Sequence, residues 1–129
     1  MPKKLEKWYQ GKVLKGEKLG RTLGFPTLNL DSSILSENTL QGAYAAVVKY
    51  NDREYKGALY YGPRLVLGET KNVLEIYLLD FRKEIYGKKL QFILKKFLRP
   101  PHPFSSLLSL KKQLSKDKEL VDKSITLVR

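Results

Sequence analysis

The chain has 129 residues, a formal net charge of +12 and no cysteine, so disulfides and thiolate metal sites are excluded. Its length suits one domain with its own core, and no stretch approaches the roughly 18 apolar residues of a membrane span. The opening MPKKLEKWYQ is charged and lacks the apolar core of an export signal.

These bounds predict a single domain over residues 1–129, monomeric and cytoplasmic, with anionic partners. The lysines are spread along the whole chain, which is the habit of a solvated surface as much as of a binding patch.

In chain order, runs of β-branched and aromatic residues between turn signals predict six strands. They are KWYQGKVLK, GFPTLNL, GAYAAVVKY, REYKGALYYG, NVLEIYLLDF and KLQFILKKFL. YNDRE reads as a hairpin turn between the third and fourth, and RKEIYGKK joins the last two. Beyond the breaker RPPHP, Ser105 or Ser106 caps a helix reaching to about Lys123. Leu107, Leu110, Leu114 and Val121 share its apolar face, and Lys111, Lys112 and Lys116 its wet one. Short strands followed by one helix predict a closed antiparallel barrel with the helix outside it or across one end.

Three places carry oxygen or charge where a barrel core does not need it. In VLKGEKLGR, Gly16 and Gly20 flank a polar turn beside Lys15, Lys18 and Arg21. Such glycines let backbone N–H groups approach a phosphate, although hairpin punctuation has the same look. In GFPTLNL, Thr27 and Asn29 point to one face of an extended strand while Leu28 and Leu30 point to the other. Their oxygens suit Mg²⁺ accompanied by nucleotide phosphates, or they satisfy neighbouring backbone groups. Glu75 interrupts VLEIYLL on the face of Val73 and Tyr77, where a carboxylate is either functional or turned to water from an edge strand. Asp80 reads as a turn cap and His102 as a loop residue without a role.

The blocks GKVLKGEKLGRTLGFPTLNL, GAYA, LEIYLLDFRKEIYGKKL and FLRPPHPFSSLLSLKKQLSKD occur in order over roughly residues 8–118. Together they resemble riboflavin kinase, the flavokinase often found as the C-terminal half of a bifunctional bacterial FAD synthetase. The resemblance implies an all-β, six-stranded Greek-key split barrel with a C-terminal α-helix. It implies transfer of the ATP γ-phosphate to the riboflavin 5′-hydroxyl, giving FMN and ADP with Mg²⁺ as cofactor. On that resemblance Thr27 and Asn29 belong to a PTxN motif for metal and phosphates, and Gly16, Lys18, Gly20 and Arg21 to a loop over the phosphates. Glu75 matches the base, and Arg99, Phe104 and Leu107 lie near the flavin.

One segment departs from the family pattern. YYGPRLVLG stands where NxGxxPTF is typical: Gly62 and Arg64 match, while Tyr60 replaces Asn and Leu65, Val66 and Leu67 replace Pro, Thr and Phe. This leaves two alternatives to the kinase, a degenerate flavin or nucleotide binding module and a basic nucleic-acid-binding barrel. In the latter Trp8, Tyr9, Tyr60, Tyr61 and Tyr77 would stack bases. The kinase reading needs no nucleic acid and no membrane partner.

Overall fold

A computed structural model describes residues 6–15, 24–65 and 68–127. At the middle of the fold, Asn51 and Asp52 adopt φ of 55° and 63°. Asn and Asp tolerate this left-handed backbone, and two such residues in succession make the turn whose twist matches paired strands. The turn closes a hairpin of β3 (Gly42–Tyr50) and β4 (Arg53–Pro63), in which Tyr50 is opposite Arg53.

Four further strands complete one antiparallel sheet: β1 (Trp8–Lys12), β2 (Leu28–Leu30), β5 (Asn72–Leu78) and β6 (Lys89–Arg99). The order is β1-β6-β3-β4-β5-β2. Strands β3, β4 and β5 form a meander, and β6 returns to lie beside β3, which is the Greek-key arrangement. RKEIYGKK is therefore a crossover between strands that do not pair with each other. The two edges of the sheet meet where the Leu14 N–H donates to the Asn29 carbonyl at 2.7 Å, so the barrel is split but nearly closed.

Alternation along the strands divides the core in two. Tyr44, Ala46, Val48, Leu59, Ile76 and Phe92 fill the barrel interior. Ala45, Val47, Ile93 and Leu79 lie on the outer face, covered by Val121 and Ile125 of the C-terminal segment. Strand β3 is thus buried on both faces, the physical reason that GAYAAVV is apolar throughout. Its first residue, Gly42, has φ of 146°, and a Cβ there would stand 2.0 Å from the Arg99 carbonyl oxygen. Only glycine lets β6 cross so close.

The helix α1 runs from Leu107 to Ser124, with the Ser106 hydroxyl accepting the Ser109 N–H at 3.1 Å as its N-cap. The expected apolar stripe needs one correction. Leu107 is 48% exposed, and the face turned inward consists of Leu110, Leu114, Asp117 and Val121. Asp117 is only 3% exposed, because the Arg99 Nε and Nη2 donate to its two oxygens at 2.9 and 2.7 Å and Gln113 adds a third hydrogen bond. A bidentate ion pair therefore ties α1 to the end of β6. Among the described residues, no helix is long and apolar enough to cross a membrane.

Candidate active site

Register carries the site. Across five adjacent strands, Asn29 is opposite Glu75, Glu75 opposite Tyr60, Tyr60 opposite Ala43, and Ala43 opposite Arg99. Residues directly opposite in antiparallel strands project to the same face, about 5 Å apart. The inward partners of β2 and β5 are Leu30, Leu74 and Ile76, so this row lies on the outer face, toward α1.

Between that face and α1 is a cavity with about 1020 Å³ of empty space, part of it open to solvent. Its sheet side includes Thr27, Glu75, Tyr77, Ala58 and Tyr60, and its other side Phe104, Leu110, Leu114 and Asp117. Ala43 and Ala58 are small, which leaves the space open. An apolar hollow with few polar groups is the usual form of a small-molecule site.

A second hollow lies on the far side of Phe25, Thr27 and Tyr77, residues that line both spaces. The Phe25 and Tyr77 rings meet edge-on, with centroids 5.3 Å apart, and build the partition. Beyond them the second hollow is bordered by Arg82, Lys83 and Lys118, and also by Asp80 and Glu84. The pair offers a largely apolar compartment and a charged one with one more cation than carboxylate, with Thr27 lining both.

Glu75 is not the solvent-facing carboxylate of an edge strand, since β5 pairs on both sides. Its side chain is 18% exposed and is held by Arg64, whose Nε and Nη2 both donate to Oε2, the former at 3.0 Å. The same Nη2 donates to Asn29 Oδ1 at 3.3 Å. The Arg64 Nη1 lies 3.9 Å from Glu69. Asn29 and Glu75 are therefore two oxygen ligands of one cation.

Beside them, burial raises the Tyr60 hydroxyl above its ordinary value of 10.0; the Arg99 charge opposes this and the Glu75 charge adds to it. Tyr60 stays protonated and donates to the Pro63 carbonyl oxygen. Gly62, with φ of 148°, allows the turn that brings that carbonyl back.

The structure brings Thr27, Glu75, Arg99 and Phe104 together in one cavity, with Asn29 joined to Glu75 through Arg64. It does not bring in Leu107, whose place is taken by Leu110 and Leu114 one and two turns later. The proposed phosphate loop residues Gly16, Lys18, Gly20 and Arg21 lie outside the described residues. Sequence reading missed Arg64 and Asp117 as partners, and it assigned nothing to His102, which lines the cavity and meets Phe104 edge-on at 5.0 Å. Arg64 had a signal in YYGPRLVLG, whereas Asp117 sat among charged helix residues and offered none.

A model of the flavokinase family, riboflavin kinase, matches residues 5–125. The chain belongs to the riboflavin kinase family. It is 37% identical over 119 residues to the RNA-binding riboflavin kinase of Bacillus subtilis, covering 92% of this chain and 51% of that protein. It is also 34% identical over 108 residues to the bifunctional riboflavin kinase/FMN adenylyltransferase of Escherichia coli, covering 83% of this chain and 34% of that one. The chain thus spans about half of the first relative and about a third of the second. The fold is shared with riboflavin kinase from Trypanosoma brucei, with a TM-score of 0.59, 21% identity and coverage of 92% of this chain and 78% of that one. The six-stranded split barrel with its C-terminal helix is the architecture expected of the family.

Proposed function

We propose that this chain transfers the γ-phosphoryl group of ATP to the 5′-hydroxyl of riboflavin. The observation that supports it most is the placement of Thr27 at the boundary of two compartments, with Asn29 and Glu75 on the same sheet face. The apolar cavity suits an isoalloxazine ring, with Phe104, Tyr77 and the α1 leucines as its walls. The second hollow, where Arg82, Lys83 and Lys118 outnumber Asp80 and Glu84, suits a nucleotide.

In this reading the riboflavin 5′-oxygen attacks the γ-phosphorus while the bond from that phosphorus to the β,γ-bridging oxygen breaks. The hydroxyl proton passes to the Glu75 carboxylate, and ADP leaves with the bonding electron pair. Glu75 orients the nucleophile, and the helix side of the cavity keeps water from competing. Thr27 and Asn29 carry hard oxygens of the kind a divalent cation takes, Asn29 Oδ1 being occupied in this structure by the Arg64 guanidinium. A divalent cation such as Mg²⁺, held by these residues, would supply neutralisation of phosphate charge. The test is chromatographic: protein, riboflavin, ATP and Mg²⁺ yield FMN, and a Glu75→Gln variant yields far less. Quenching of riboflavin fluorescence without FMN formation identifies a binding module instead.

Nucleic-acid binding is a second reading, supported by one surface. The exposed residues of β1, β6 and β3 include Lys12 opposite Lys89, Gln10 opposite Gln91, and Lys49 beside Gln91. RNA binding is named for the Bacillus subtilis relative, a protein about twice as long as the matched region. A salt-dependent RNA gel shift, abolished by replacing Lys12, Lys49 and Lys89 with glutamine, would add RNA to the partners.

A further inference from the structure

We infer that Arg64 is a catalytic residue of the phosphoryl transfer, resting between Glu75 and Asn29 until the γ-phosphoryl group of the nucleotide draws it away. The inference rests on the kinase reading above, and it begins from a conflict in the geometry. Glu75 Oε2 accepts two N–H groups from Arg64, and Asn29 Oδ1 accepts a third contact from the same guanidinium. Oε2, so occupied, is not placed to take the proton of an attacking hydroxyl, which leaves only Oε1 for that task while the arginine stays. An amide oxygen facing a guanidinium is likewise engaged and does not present itself to a metal ion. The structure therefore shows a resting arrangement, with the base and one metal ligand both held by the arginine.

Two features say which partner moves. Asn29 and Glu75 are opposite each other in paired strands, which fixes both backbones and leaves their short side chains little reach. Arg64 lies just beyond the end of β4, on a segment that leaves the sheet after Pro63, and the Gly68 N–H donates back to the Leu65 carbonyl at 3.0 Å. The arginine can change partners without disturbing the barrel.

The Arg64 side chain is 15% exposed, so withdrawing Nε and Nη2 from Glu75 without a new acceptor would strand desolvated donors, even with Glu69 3.9 Å from Nη1. A terminal phosphoryl group supplies the replacement. It carries more charge than one carboxylate, and its oxygens match the fork of a guanidinium in two parallel hydrogen bonds. That difference is what shifts a two-position equilibrium. Arg64 then neutralises charge on the group being transferred, and Glu75 is released to accept the proton in the same event. ADP lacks the terminal group and gives the arginine no reason to leave.

The experiment compares full-length wild type with Arg64→Ala and Arg64→Lys, first by calorimetry with Mg²⁺ and either ADP or a methylene-bridged ATP analogue. Expected is a loss of analogue affinity on the order of 10-fold in Arg64→Ala, with clearly smaller changes in ADP and riboflavin affinity. In turnover the same variant should lose on the order of 10³-fold in kcat, as arginines acting on transferred phosphoryl groups do. Arg64→Lys keeps a cation for Glu75 and serves if the alanine variant misfolds; it should retain ADP binding and lose most analogue preference, lacking the planar fork.

Equal losses for ADP and analogue, or no loss for either, overturn the inference and make Arg64 a fixed brace. A wild type that binds both nucleotides but makes no FMN defeats the kinase reading, while the analogue-to-ADP difference still judges Arg64. A wild type that binds neither overturns both.

Discussion

Arg99 at the end of β6 and Asp117 in the middle of α1 form a two-pronged ion pair, and the same two residues border the cavity. Arg99, assigned to the flavin by resemblance, spends two of its donors on the helix. In the proposed flavin site its part would be to hold the helical wall in place.

Asp117→Ala should accordingly destabilise the fold by roughly 3 kcal/mol, because it leaves a largely buried guanidinium without its partner. Urea unfolding monitored by circular dichroism measures this. Riboflavin affinity should fall with it, through the displaced helix.

Glu75→Gln keeps the shape and a hydrogen-bond acceptor for Arg64 while removing the base. Turnover should drop on the order of 10²- to 10⁴-fold, with riboflavin affinity within a few-fold of wild type. Steady-state FMN formation and fluorescence titration separate the two. Full activity would remove Glu75 from the mechanism.

Asn29→Ala should raise the Mg²⁺ and ATP concentrations needed for half-maximal rate about tenfold, since one hard oxygen is lost. The strand should survive the change, because the Asn29 backbone carbonyl still accepts from Leu14. An unchanged dependence on both would assign the side chain to Arg64 alone.

Alkaline pH should loosen the site in a defined window. Burial raises both Tyr60 and Tyr44 above the ordinary value of 10.0. For a group raised in the folded state, the contribution to stability is complete below the unfolded pKa and is lost as pH rises through the folded one. Thermal stability should hold to about pH 10 and fall above it. Tyr60→Phe should make that fall shallower.

Much of this was legible in sequence. Alternation in GFPTLNL put Thr27 and Asn29 on one face, and the dipeptide Asn51-Asp52 lay inside the turn expected there. Glu75 was conspicuous because a carboxylate is costly among β-branched and aliphatic neighbours. Arg64 and Asp117 were not legible as partners, because ion pairs between residues 11 or 18 positions apart depend on tertiary approach. Leu107 misled for a local reason: heptad-like spacing counts a first-turn leucine as inward, whereas the helix meets the sheet only after its first turn.

The row from Asn29 to Arg99 has a further consequence for how variation can act on this protein. Side chains alternate between the barrel interior and the cavity, so a slip of one residue in any of these strands would exchange core leucines for cavity groups. The ligand site and the hydrophobic interior are obverse and reverse of one set of pairings. A chain that solved one while missing the other would have to violate the pleat. Insertions and deletions should therefore be tolerated between strands and selected against within them, even at positions that touch no ligand.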